Sequence, residues 1–539
     1  MMAERRNGWV TRRRPGWMAV LAGSFACAGM AAETAAPVAT PADFAVDRSV
    51  MSDKYWAIWN DDVQRGIDAD IERNRKADAA VEGLPAGAEV KVEQLTHAFV
   101  FGAHIFNFNQ LGSDARNARH QAMFGHDSLF NSATIAFYWR PFEPEEGKMR
   151  FAAAYEDTAA YWNGKDEPWS DWRWRRPASD PCVEFCEKKG IRRHGHILGW
   201  GSDHWQTPLW YYAKGEAELP FMKGFLQEVK FKTPGGASGS RYRADPAKQK
   251  EFQAMSVKEL EAKAPNFVKA LNEIWERRFM EIGRHYGNRL QSWDVCNESA
   301  TDYGMGRLIP GDRICRSHYG PMPGDYAFFS FKCAEKAFPP EVNLNINDYQ
   351  YGFNNAYGRQ VADMLARGAK IDIVGSQMHL FDYKQTLGIA EGKAIQTPEQ
   401  VRAVMARLGA MNRPIHLSEI TVTSPGDDAR GRMIQAVALR NLYRLWFSIK
   451  PMMGITMWNT VDECGAPGEP KWSGIMTRDV QPKPAYHALN QLVNTEWKTR
   501  LSAKADAAGK LAFRGFRGRY RLSWTDASGR TATREVEVK

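Results

Sequence analysis

At 539 residues the chain is too long for a small module and suits one large catalytic domain with appendages. Its 44% hydrophobic and 25% charged content is that of a soluble globular protein. The net charge of +9 leans on Arg5, Arg6, Arg12, Arg13 and Arg14 near the N-terminus, and no dense Lys/Arg run follows, so no nucleic-acid partner is expected.

Residues 1–32 read as a signal peptide: a basic stretch, an apolar run from Trp17 to Met30, then Ala31 and Ala32 where a peptidase can cut. That run is shorter than the roughly 18 residues a membrane anchor needs, so export, periplasmic or secreted, is expected and no membrane span. Residues 33–96 form a linker and a small N-terminal subdomain. Within it 33–45 is an Ala/Pro/Thr-rich spacer, a charged segment at 61–80 suits a helix, and 88–94 alternates as a strand does.

From 97 to 497 strand-like apolar runs alternate with helix-like segments. The strand candidates are 97–106, 132–139, 191–200, 290–297, 342–349, 371–379, 415–420 and 454–459. Helices are expected at 181–189, 264–285, 358–367, 398–411 and 431–448, and 230–250 reads as a long exposed insertion. This is the pattern of an α/β chain folded as a (β/α)8 TIM barrel, with small β-rich N- and C-terminal appendages. Residues 498–539 are the C-terminal one, a short β appendage expected to pack on the barrel beside the strand at 88–94.

Cys182, Cys186, Cys296, Cys315, Cys333 and Cys464 follow the leader. An even count in an exported chain permits disulfides, and Cys315–Cys333 is the expected bridge. No Cys-x-x-Cys or His-x-x-x-His spacing occurs, so neither metal nor cofactor is expected. Nineteen Trp and eighteen Tyr exceed what a core needs, and exposed rings suit the C–H faces of sugars.

Two glutamates carry the chemistry. Glu298 ends Ser292-Trp-Asp-Val-Cys-Asn-Glu298, and Glu419 lies in Ile415-His-Leu-Ser-Glu-Ile420. Each ends a strand-like run, which places both at the rim where barrel enzymes do chemistry. Paired carboxylates flanking a scissile bond are what glycoside hydrolysis requires.

Further motifs stand in order: His194-Gly-His196-Ile-Leu-Gly-Trp200, Asn347-Asp348-Tyr349, Gly375-Ser-Gln377-Met-His379, Ile455-Thr-Met-Trp458 and Pro482-Lys-Pro-Ala-Tyr486. With the two glutamate motifs, residues 97–490 resemble glycoside hydrolase family 10, the endo-β-1,4-xylanases. The resemblance implies Glu419 as nucleophile and Glu298 as acid/base in a retaining double displacement. It also implies Asn297 on the sugar 2-hydroxyl, His379 holding Glu419, and Gln377 contacting Glu298 or sugar. His196, Trp200, Trp458 and Trp472 would line the pocket. The implied partner is xylan or a related plant cell-wall β-glycan, acted on by a monomer.

Departures from the family pattern are specific. A Glu-Asn…Lys-Trp cluster on the second strand is replaced by Thr134-Ile-Ala-Phe-Tyr-Trp139. Gly201-Ser-Asp203 follows Trp200 in place of His-Ser-Gln, and Thr421 stands where an Asp orients the His beside the nucleophile. The alternatives are another retaining β-glycanase, acting on mixed-linkage glucan or xyloglucan, and a non-catalytic polysaccharide-binding protein. A two-lobed periplasmic binding protein is the remaining alternative.

Overall fold

The structure, a computed structural model, describes residues 44–202, 206–232, 238–349 and 355–539. The leader at 1–32, the spacer up to residue 43 and Asp203 lie outside the described residues. Eight strands close into a barrel in which every neighbouring pair is parallel. They are β1 (Val100–His104), β2 (Ser132–Ala136), β3 (Arg192–His196), β4 (Ser292–Asn297), β5 (Asn343–Asp348), β6 (Ile373–Leu380), β7 (Ile415–Val422) and β8 (Met452–Met457). β2, β4 and β7 are buried at every position, as strands are when one face meets the barrel interior and the other the helices.

The helices show why these segments fold as they do. In Pro265–Tyr286, Phe267, Leu271, Ile274, Trp275, Phe279, Ile282 and Tyr286 recur at three- and four-residue spacing and form one buried stripe. Gly283 lets this helix meet Tyr326–Ala337, since a Cβ there would stand 2.4 Å from Ala337 O. Pro398–Gly409 starts at Thr397, whose side chain and that of Gln400 cap the exposed backbone N–H groups reciprocally. Ala429–Ser448 is buried almost all round between β7, β8 and the helices beside them. Among the described residues no helix is long and apolar enough to cross a membrane.

The chain's two ends build one sheet. Glu89–Gln94 lies between Arg500–Lys504 and Gly518–Thr525, with Thr531–Val538 on the outer edge, all antiparallel. Its alternating side chains bury Val90 and Val92 against Leu511, Tyr520 and Leu522.

The structure corrects three expectations. The segment at 61–80 is helical only over Asp61–Arg75; Lys76–Val81 is a strand paired with Leu511–Phe516. Arg75 ends the helix by donating to the carbonyls of Phe447 and Ile449. The insertion expected at 230–250 carries ordered elements: Leu226–Lys232 pairs with Ser238–Ala244, and Pro246–Ala254 is a helix. Its polar composition hides a ribbon paired by backbone bonds. The expected Cys315–Cys333 bridge is absent; both thiols are free and buried, Cys315 donating to Arg307 O at 3.3 Å. Cys315 sits on a second hairpin, Ile314–Ser317 with Gly320–Pro323, in the connection from β4 to β5. The third correction, to Trp472, concerns the site.

Candidate active site

Strand register assembles the site. Asn347 on β5 stands opposite Asn297 on β4 and Gly375 on β6, and Gln377 on β6 stands opposite Glu419 on β7. These positions lie toward the C-terminal ends of their strands, at the functional end of such barrels. Gly375 keeps the layer open, because a Cβ there would stand 2.7 Å from Asn347 Oδ1.

Glu298 directly follows β4 with φ of 54°, in the left-handed region that a residue with a Cβ seldom occupies. Its N–H donates to Asn347 O at 2.9 Å, which fixes this turn. Its carboxyl is held from two sides, Oε1 accepting from Gln377 Nε2 at 3.1 Å and Oε2 from Tyr319 OH at 3.2 Å. Burial, and then the charge of Glu419, raise its pKa above the ordinary glutamate value, outweighing the Gln377 and Tyr319 bonds that lower it.

Glu419 is 5% exposed. Its Oε1 accepts from Asn347 Nδ2 at 2.7 Å, and His379 Nε2 lies 3.4 Å from Oε2. Asn347 Nδ2 also donates to Asn297 Oδ1 at 2.9 Å, and Gln377 Nε2 donates to the same oxygen at 3.2 Å. A continuous path of three amides therefore links one carboxyl to the other. Asn297 Oδ1 serves that path, and its Nδ2, which makes no hydrogen bond among the described residues, is the group left for a ligand. The other face of His379 meets Thr421, with Nδ1 2.9 Å from Oγ1. A neutral hydroxyl thus does the orienting where the family pattern has a carboxylate.

His196 completes the floor. Its Nδ1 lies 2.9 Å from Asp294 Oδ2, which also meets His194 Nε2 at 2.9 Å. Burial lowers the His196 pKa, but the Asp294 hydrogen bond and the charges of Glu419, Asp294 and Glu298 leave it raised overall.

These groups open into one cleft of about 520 Å³. Glu298, Glu419, His196, Trp200, Asn297, Gln377, His379 and Trp458 all line it. Trp458 is nearly buried, with Nε1 donating to Glu469 Oε1 at 2.9 Å. Trp472 does not line the cleft; its carbonyl accepts from Ser424 N at 2.9 Å, and Glu469, three residues earlier, takes the wall position.

Several contributors were not singled out from the sequence. Asn347 had a signal, since it ends a strand beside Asn297 as part of a quoted motif. Tyr319 had none: it sits in the turn of a short hairpin, where Trp200 Nε1 donates to its hydroxyl at 3.4 Å. Tyr138, just beyond β2, and Arg176, from the long connection between β2 and β3, form a further wall.

Residues 253–492 match the family model of glycosyl hydrolase family 10, a span that contains β4 to β8 and both glutamates. Relatives include endo-1,4-beta-xylanase C of Paenibacillus barcinonensis, 23% identical over 74% of this chain and 31% of that protein. Endo-1,4-beta-xylanase B of Thermotoga neapolitana is 27% identical over 43% of this chain and 64% of its own length. The anti-sigma-I factor RsgI6 of Acetivibrio thermocellus is 22% identical over 64% of this chain and 34% of that protein. The chain thus spans less than two thirds of the length of these relatives. The solved xylanase 10B of Thermotoga maritima is 19% identical over 74% of this chain and 96% of its own, with a TM-score of 0.48. The segment that carries Glu298, Gln377, His379 and Glu419 is thus the part of the chain that matches glycosyl hydrolase family 10.

Proposed function

We propose that the chain is an exported, retaining endo-β-1,4-xylanase that cleaves internal xylosidic bonds through two glutamates. The observation that carries this reading is the asymmetry of the carboxyl pair. Glu298 has a raised pKa, so it can hold a proton, while Glu419 rests in donors from Asn347 and His379 that suit an anion.

In the first step Glu298 protonates the departing glycosidic oxygen as Glu419 Oε attacks the anomeric carbon and forms a glycosyl ester. In the second, Glu298, now a carboxylate, takes a proton from water, which attacks the same carbon and releases Glu419. The loss of the Glu419 charge on ester formation removes one cause of the raised Glu298 pKa, which favours its switch from acid to base. Asn297 Nδ2 is the donor available to the sugar 2-hydroxyl, where bonding strengthens as the oxocarbenium-like state develops.

The basic leader and its apolar run support export. A second reading, a retaining β-glycanase with another backbone sugar, is favoured by one observation: β2 offers Ala136 and then Phe137 where the family pattern carries polar contacts. Hydrolysis of a β-1,4-xylo-oligosaccharide, followed by NMR of the newly formed anomer, tests both. Initial β-product supports retention by a xylanase. Initial α-product overturns retention, and cleavage of mixed-linkage glucan or xyloglucan alone moves the substrate to the second reading.

A further inference from the structure

The connection between β2 and β3 leaves two large rings in solvent. Trp172 is 53% exposed and Tyr155 68%. Scattered apolar side chains are ordinary on a surface, but these two stand in a built frame. Arg150 and Arg173 lie over the Trp172 ring, with guanidinium carbons 5.0 and 5.4 Å from its centre. Tyr155 meets Tyr161 edge to face at 6.0 Å, and Arg173 Nη2 donates to the Tyr161 hydroxyl at 2.7 Å.

The frame is fixed and electrically balanced. Arg150 donates to Asp157 and to the carbonyls of Pro141 and Arg176, the latter two at 2.9 and 3.2 Å. Arg173 bonds Asp171 twice, at 3.0 Å from Nε and 2.7 Å from Nη2, and its Nη1 lies 3.8 Å from Glu156. Lys165 Nζ stands 3.9 Å from Asp171. Three cations, Arg150, Arg173 and Lys165, thus meet three carboxylates, Asp157, Asp171 and Glu156, and the surface holds no net charge for an acidic polymer. What it offers is neutral: the exposed rings, the Trp172 Nε1–H and the Tyr155 hydroxyl, neither of which makes a hydrogen bond among the described residues. A flat apolar ring with a polar edge matches the C–H face and hydroxyl rim of a pyranose, and a ring already held in place loses little freedom on binding.

This surface is continuous with the cleft. Residues 137–178 run from the end of β2 to the helix Ser179–Lys189, so they lie at the same end of the barrel as the glutamates. Arg150, which lies over Trp172, also holds the carbonyl of Arg176, a residue that lines the cleft. Four residues separate Trp172 from Arg176, at most about 14 Å of chain.

We propose that Trp172 and Tyr155 form a second glycan-binding surface outside the cleft, which holds a neutral β-1,4-linked chain beyond the stretch that is cleaved. It rests on the glycanase reading for the class of polymer.

The test compares the full chain with Trp172→Ala, Tyr155→Ala and the double variant, none of which removes core packing. Kinetics are measured on soluble xylan, on mixed-linkage glucan and on a trisaccharide of each, too short to reach from cleft to rings. Binding to both polymers is measured separately in a Glu298→Gln background, which needs no turnover. Trp172→Ala is expected to raise KM and weaken binding on the polymer about fivefold to tenfold, the scale of truncating one ring at an interface. Tyr155→Ala should act in the same direction and less, with kcat/KM on the trisaccharide unchanged in both. A double variant with wild-type KM and binding on the polymers overturns the surface. So does an equal loss on the trisaccharide, which would mean that the rings act through the cleft. A wild-type chain that dimerises with concentration in sedimentation, where Trp172→Ala does not, also overturns it, the occupant then being a second copy. Polymer hydrolysis with binding indifferent to both rings fails the surface alone. Ring-dependent binding to either polymer without hydrolysis by the wild type fails the hydrolase reading alone.

Discussion

The two halves of the barrel do different work. From β4 to β8 the strand ends carry the carboxyl pair and the amides between them, and this is the half that matches the family. From β1 to β3 the wall is aromatic and cationic: Tyr138 and Trp200 with Arg176, joined by His196. A layer of amides bridging two acids tolerates few alternatives, since each donor is paired to a particular oxygen. A wall that only meets the substrate's periphery can change its residues and keep the reaction. The comparison teaches that mechanism and selectivity are separable here, strand by strand.

The largest effect belongs to the half of that comparison that carries the carboxyl pair. Glu419→Ala removes the attacking oxygen and is expected to lower kcat by about 10⁴-fold or more. If kcat on xylo-oligosaccharides falls by less than tenfold, Glu419 is not the nucleophile and the division of labour collapses. Glu298→Ala comes next, with a loss of about 10²–10⁴-fold on natural linkages. An aryl xyloside whose leaving group needs no proton should lose far less in its first step, and equal losses on both substrates would remove the acid role.

Tyr319→Phe should give a smaller effect with a defined sign. The Tyr319 hydroxyl lowers the Glu298 pKa by bonding its charged form, so deleting it raises that pKa further. Glu298 must be protonated to act as acid, so activity falls as pH rises through its pKa. The alkaline limb of kcat/KM is therefore expected to move up by a fraction of a unit, with about a tenfold or smaller change at the optimum. A limb that stays put or moves down would mean that Tyr319 only packs against Trp200. The smallest effect is on the scaffold: since all six described cysteines are free, a reductant should leave Tm unchanged. A fall of several degrees on reduction would reveal a bridge.

Legibility in the sequence followed the same divide. The barrel strands were readable because apolar residues recur at close spacing between helix-like segments, as Ile415, Leu417, Ile420 and Val422 do in Ile415–Val422. The glutamates were readable because each stands with such a run, Glu298 directly after β4 and Glu419 within β7. The two hairpins were not: their strands are short or polar and held by backbone bonds, so neither period nor hydropathy marks them. Tyr319 rides on one of them. Arg176 emerges from an irregular connection, where no spacing links it to Tyr138. Trp472 was misread because side-chain direction in the segment after β8 depends on turns, which place Glu469 on the cleft instead.

The sheet made from both chain ends bears on the order of folding. Glu89–Gln94 emerges early in synthesis, yet both of its partners lie within residues 500–525. β1 likewise waits for β8 before the ring can close. Pairings of such long sequence separation are slow, because loop-closure entropy must be met before any contact forms. The nascent chain thus holds an unpaired strand at its front until its end has been made, and a chain stopped before residue 500 carries that strand with both edges open.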